Sequence, residues 1–85
     1  MPTRTVTVGS AVGLHARPAA LIAEQAGELG SEVLIGLPGE EPIDASSALL
    51  IMTLGAGHGA QVEVSGQDDT AVDTIAALIA KDLDA

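Results

Sequence analysis

Two periodicities divide the chain. Thr5-Val6-Thr7-Val8 sets apolar residues two apart, as a half-buried strand does. From Ala16 to about Gly27, Ala19, Ile22, Ala23 and Ala26 recur at three- and four-residue intervals, which predicts an amphipathic helix with Gly27 and Gly30 as candidate stops. Glu32-Val33-Leu34-Ile35 reads as a second strand and Pro38-Gly39 as a turn. Glu40 to Ile43 follows as a short return strand that Pro42 confines to a sheet edge. Asp44, Ser46 and Ser47 offer caps for a short helix over Ala48-Leu49-Leu50-Ile51-Met52, and Gly55 suits a left-handed stop after Leu54. A glycine-rich turn, Gly55 to Gly59, precedes the alternating Gln61-Val62-Glu63-Val64-Ser65. Gly66-Gln67-Asp68-Asp69 then leads into a last helix with Val72, Ile75, Ala76 and Ile79 facing inward and acidic residues at its start. The order β-α-β-β-α-β-α predicts an α+β fold, a two-layer sandwich with helices on one face of a four-stranded sheet.

Length and composition narrow this picture. Eighty-five residues imply a single domain over 1–85, and a domain that small buries only roughly 60–65 % of its unfolded surface. With no cysteine, disulfide and thiolate chemistry are excluded, which suits the cytoplasm. With no aromatic residue, the core must be Val, Leu, Ile, Met and Ala, and base stacking is excluded. The net charge is −9, and Arg4, Arg17 and Lys81 are the only basic residues. That balance argues against nucleic-acid binding, which needs cations to neutralise phosphates, and against anionic membranes. No apolar run exceeds six residues, and the run Ala48 to Met52 is five, too short to span a bilayer. Met1-Pro2-Thr3-Arg4 has no apolar stretch behind it, so no secretory signal is expected.

The chemistry concentrates in Gly13-Leu14-His15-Ala16-Arg17-Pro18, between the first strand and the first helix. A histidine just ahead of a helix faces backbone N–H groups without intrahelical partners and the positive end of the helix dipole. That end favours a phosphate dianion once formed. The backbone of Ala16 and Arg17 would hold the phosphate, and Arg17 adds a planar fork suited to its oxygens. Gly13 allows a tight turn ahead of the site. If His15 is the N-cap, Pro18 is the third helical residue, where its missing N–H costs nothing; Arg17, before a proline, is biased away from helical angles. Other constellations carry less. The Gly55–Gly59 turn lacks the lysine and Ser/Thr of a phosphate-binding P-loop. His15 and His58 have no third ligand at a recognisable spacing, so no metal or cofactor is expected. Glu40/Glu41 and Asp68/Asp69 read as solvated pairs, and Ser46 and Ser47 as caps.

Gly-Leu-His-Ala-Arg-Pro-Ala-Ala resembles the active-site segment of HPr, the histidine-containing phosphocarrier family of the bacterial sugar phosphotransferase system. Ser46 to Gly55 is similar to that family's second-helix segment and Gly66-Gln67-Asp68-Asp69 to its Gly-x-Asp-Glu motif, so the resemblance spans nearly the whole chain. It implies an antiparallel sheet with one open face and transient phosphorylation of His15, on Nδ1. Enzyme I would be the donor and an enzyme IIA domain the acceptor, with a monomer in the cytoplasm as the working form. Matching positions imply a docking surface of Val12, Ala16, Ala20, Leu21, Ala48, Leu49 and Met52. Ser47 matches the serine that a regulatory kinase phosphorylates in some relatives. Ser46 stands where lysine is frequent, and Leu50 where a small residue is; both put that kinase regulation in question. The competing readings are a non-transferring regulatory module of the same fold, a carrier of a nitrogen-regulatory branch, and a small independent enzyme. The intact His15 and Arg17 weigh against the first, and the lack of a second catalytic group against the last.

Overall fold

The computed structural model describes residues 2–11 and 13–81. Among them the chain runs β1 (Thr3–Thr7), α1 (Ala16–Glu28), β2 (Val33–Gly36), β3 (Ile43–Asp44), α2 (Ala48–Thr53), β4 (Gln61–Gly66) and α3 (Asp69–Ala80). This is the order expected from the sequence. The sheet is ordered β1-β4-β2-β3 and every pairing is antiparallel. β4 is central: Val62 and Val64 pair with Val6 and Arg4 of β1, and Val64 also with Ile35 of β2. Val62, Val64 and Ile35 are fully buried beneath the helices, whereas Thr3, Thr5, Thr7, Gln61 and Glu63 line an open, solvated face.

Each helix buries the stripe its spacing defines. Ala19, Ile22 and Ala26 of α1 and Val72, Ile75, Ala76 and Ile79 of α3 join Ile51 of α2 in one aliphatic core. Caps fix where the later helices begin. Of the candidate caps before α2, Ser47 serves: its hydroxyl accepts the Leu50 N–H at 3.3 Å. Asp68 caps α3 through the Thr70 N–H at 2.9 Å. Gly30 and Gly55 follow the ends of α1 and α2 in left-handed conformation, at φ 69° and 66°.

Differences from the sequence reading lie at boundaries. β1 is shifted two residues toward the N-terminus at its start, because its ladder partners are Ser65 back to Gln61; Val8 stays buried and donates to the Ala60 carbonyl at 2.8 Å. α1 runs through Gly27 to Glu28, since its C-cap Leu29 packs against the core, which outweighs glycine's poor helix propensity. β3 is an edge strand as Pro42 required, but only two residues long and displaced to Ile43–Asp44. On β1, Arg4 shares the helix-facing side and pairs with Asp73 at 2.9 Å and Asp69 at 3.3 Å on α3. Both pairs are exposed, so their worth is about 0–1 kcal/mol each.

Candidate functional site

His15 is the N-cap of α1, with extended backbone (φ −88°, ψ −173°). Its carbonyl accepts the Ala19 N–H at 2.9 Å and so closes the first turn. Ala16, Arg17 and Pro18 are the first three helical residues. Pro18 carries no N–H, so Ala16 and Arg17 hold the donors that the helix cannot satisfy internally. The His15 side chain makes no capping bond, and those donors stay free to meet an anion. Arg17 lies inside the helix despite preceding a proline. Burial of Pro18 and Ala19 against the core outweighs that bias. His15, Ala16 and Arg17 are all exposed. Among the described residues neither the His15 ring nor the Arg17 guanidinium has a hydrogen-bond or ion-pair partner.

A second loop backs the histidine. The Gly13 N–H donates to Ser10 at 3.0 Å and the Leu14 N–H to the Ala56 carbonyl at 2.8 Å. Gly13 sits at φ 78°, and a Cβ there would lie 2.5 Å from the Ala56 oxygen, so only glycine permits this approach. The result is an open cleft of about 340 Å³ lined by Leu14, His15, Met52, Gly55, Ala56 and Gly57. Reading the sequence missed this wall. The Gly55–Gly59 segment was legible as a turn, but its place beside His15 depends on a pairing more than forty residues away, between Leu14 and Ala56. The one local signal was Gly13, whose need for a positive φ and a close neighbour was visible only as a tight turn.

The remaining candidates are distributed as follows. Ala20 and Leu21 lie on the exposed side of α1, and Leu49 and Met52 on the exposed side of α2, which packs on α1. Leu49 is 69 % exposed, Leu21 40 % and Met52 39 %, a large apolar display for so small a chain. Ala48 is half-buried, and Val12 lies outside the described residues. Leu50, also 39 % exposed, adds to the apolar surface of α2. Ser47 is half-buried at the helix start with its oxygen occupied by the Leu50 N–H. Ser46 donates from both N–H and hydroxyl to the Asp44 carboxylate, at 2.9 and 2.7 Å; these bonds hold the Asp44 carboxyl below its ordinary pKa. His58, Glu40 and Glu41 are exposed. Asp68 acts as a cap and Asp69 as an ion-pair partner of Arg4.

Fold and site define a class: an open-faced α+β sandwich that presents one solvent-exposed histidine at the start of its first helix. The family model described as "PTS HPr component phosphorylation site" matches residues 2–81. A phosphocarrier protein HPr from Pseudomonas putida is 37 % identical over 82 residues, covering 93 % of this chain and 91 % of the relative. Among solved structures, HPr from Thermoanaerobacter tengcongensis superposes with a TM-score of 0.87 at 30 % identity, covering 100 % of this chain and 98 % of that one. A phosphocarrier protein HPr from Bacillus anthracis gives 0.84 at 28 % identity, covering 92 % and 95 %. The chain belongs to the HPr phosphocarrier family of the phosphotransferase system.

Proposed function

We propose that this chain acts as one phosphocarrier domain in a cytoplasmic sugar-uptake relay, taking a phosphoryl group from phospho-Enzyme I onto His15 and passing it to an enzyme IIA domain. The observation that carries this reading is an exposed imidazole, free of internal partners, at a helix start whose first N–H groups are unused. In the transfer step a ring-nitrogen lone pair attacks phosphorus opposite the donor bond. A P–N bond forms, the bond to the donor breaks, and the donor leaves with the electron pair. The second ring nitrogen keeps its proton, so the phosphorylated ring remains an activated donor for the next transfer. Phosphoryl transfer of this kind needs positioning and charge stabilisation more than a general base. The Ala16 and Arg17 N–H groups, the helix dipole and the Arg17 guanidinium supply them.

The exposed Ala16, Ala20, Leu21, Leu49 and Met52, with half-buried Ala48, form the surface on which donor and acceptor dock in turn, an apolar centre within a polar rim. Val12 belongs to the same proposed surface. Negative charge introduced at Ser47, next to this surface, weakens docking because it must be desolvated. Incubation with phosphoenolpyruvate and Enzyme I, followed by intact mass, tests the proposal: the chain gains one phosphoryl group, and no gain counts against it.

A further inference from the structure

The segment that leads from β1 to His15 is moored by backbone bonds. The Gly9 N–H donates to the Ile79 carbonyl at 3.0 Å, and the Leu14 N–H to the Ala56 carbonyl at 2.8 Å. Between them the Gly13 N–H donates to the Ser10 carbonyl at 3.0 Å and closes a turn. The first bond also serves α3. Ile79 lies in its last turn, where carbonyls lack intrahelical donors, and Gly9 supplies one from outside. A single contact thus finishes α3 and starts the His15 loop.

That contact admits only glycine. A Cβ at Gly9 would lie 2.1 Å from the Ala80 carbonyl oxygen and 2.7 Å from its carbonyl carbon. Gly9 is not left-handed, as Gly13 is, so its own backbone does not call for glycine; the close approach does. Any side chain there forces the two backbones apart by about 1 Å to restore van der Waals separation. The loop yields rather than the helix. Ile75, Ala76 and Ile79 are buried in the core and hold the last turns of α3. Gly9 is half-buried and Ala11 exposed, on irregular backbone that shifts at lower cost.

We infer that the last turn of α3 is the seat of the His15 loop. Gly9 is then a positioning residue for phosphoryl transfer, acting on the His15 ring through the Ser10–Gly13 turn and Leu14. The inference rests on the phosphocarrier reading. In that reaction the ring nitrogen must stand in line with the bond it displaces, and a misplacement of about 1 Å can cost on the order of 100-fold in rate. The proposed docking residues ride on α1 and α2, outside the loop contact. Displacing the loop therefore lowers kcat and leaves KM nearly unchanged.

The test uses the full chain, phosphoenolpyruvate and Enzyme I. Gly9→Ala inserts the Cβ. Ile79→Val loosens the seat from the helix side, and Ile35→Val is a conservative core change in β2 that serves as the control. Thermal melts set a working temperature at which each variant is folded. Backbone amide NMR shifts and the kcat and KM of transfer from phospho-Enzyme I are then compared with wild type. In Gly9→Ala the largest amide shifts should fall within residues 10–16, with kcat lower by about 10- to 100-fold and KM within about 2-fold. Ile79→Val should show the same pattern more weakly, and Ile35→Val should transfer as wild type does. Unchanged kcat in Gly9→Ala, or shifts confined to residues 75–81, overturns the seat, because the helix then gives way instead of the loop. An equal loss of kcat in Ile35→Val also overturns it, since general destabilisation would explain the effect. If Gly9→Ala does not fold, Ile79→Val against Ile35→Val decides by the same two readouts. A wild type that takes no phosphoryl group removes the carrier reading, and the amide shifts then decide the seat alone.

Discussion

Arg17 and His15 share one property that most functional residues of a small domain lack: the fold asks nothing of their side chains. Both are exposed and unpartnered within the described chain. Arg17→Ala should therefore leave stability within about 0.5 kcal/mol, as for most surface changes, while slowing phosphoryl transfer markedly. Chemical denaturation beside a transfer assay separates the two, and either a collapse of stability or unchanged transfer contradicts the role given to Arg17. Ser46 shows the opposite case. Its N–H and hydroxyl both serve Asp44. Because these bonds lower the folded-state pKa of Asp44, they favour folding above its unfolded-state pKa, and that contribution disappears as pH falls through the lower, folded value. Ser46→Ala removes the hydroxyl bond but keeps the backbone one. The Asp44 carboxyl should then titrate closer to its ordinary value in an NMR pH series; an unmoved titration would show that the backbone bond alone accounts for the shift.

At the scale of elements, two loops and one cap decide the site. Gly13→Ala demands a positive φ from a residue with a Cβ and drives that Cβ into the Ala56 carbonyl. It should destabilise the chain and slow transfer together, because the Leu14–Ala56 bond sets where His15 starts its helix. Circular-dichroism melts and transfer rates would report both; a silent substitution would show that the loop pairing is dispensable. Ser47→Ala should cost about 0.5–2 kcal/mol through loss of the cap of α2. Ser47→Asp should hold stability, since aspartate also caps, yet slow transfer from Enzyme I. Equal transfer by wild type and Ser47→Asp would leave Ser47 as a cap and nothing more. The same elements show what can be read from the chain alone. The stripes Ala19-Ile22-Ala26 and Val72-Ile75-Ala76-Ile79 have a strong period, and their helices lie where that period places them. The N-cap position of His15 was legible too, because Pro18 and the stripe behind it bracket the helix start. The short edge strand β3 was legible from Pro42 but its bounds were not, because its two-residue pairing with Leu34 and Ile35 leaves almost no local pattern. The cleft wall from Gly55 to Gly57 was not legible for a related reason: it is made by a long-range backbone bond, and such bonds leave no periodicity.

Across the whole molecule, stability and function draw on different surfaces. The buried face of the sheet and the inner stripes of the helices form an entirely aliphatic core. A domain of this size has about 5–15 kcal/mol of net stability at most. Ile75→Ala, at a fully buried position, should remove about 2–5 kcal/mol of it, visible as a lower denaturant midpoint; a loss well under 1 kcal/mol would mean that the core repacks around the gap. The outer side of α1 and α2 carries the apolar residues that the core leaves out, Leu21, Leu49, Leu50 and Met52. What the whole arrangement offers chemically is one reactive ring on a rigid mount. The direct test is to phosphorylate the protein with phosphoenolpyruvate and Enzyme I and follow intact mass in wild type and His15→Ala, with acid and base treatment afterwards. The account predicts one phosphoryl group on the wild type, lost in acid and retained in base as a phosphoramidate should be, and none on the variant. A phosphoryl group still accepted by His15→Ala would contradict it.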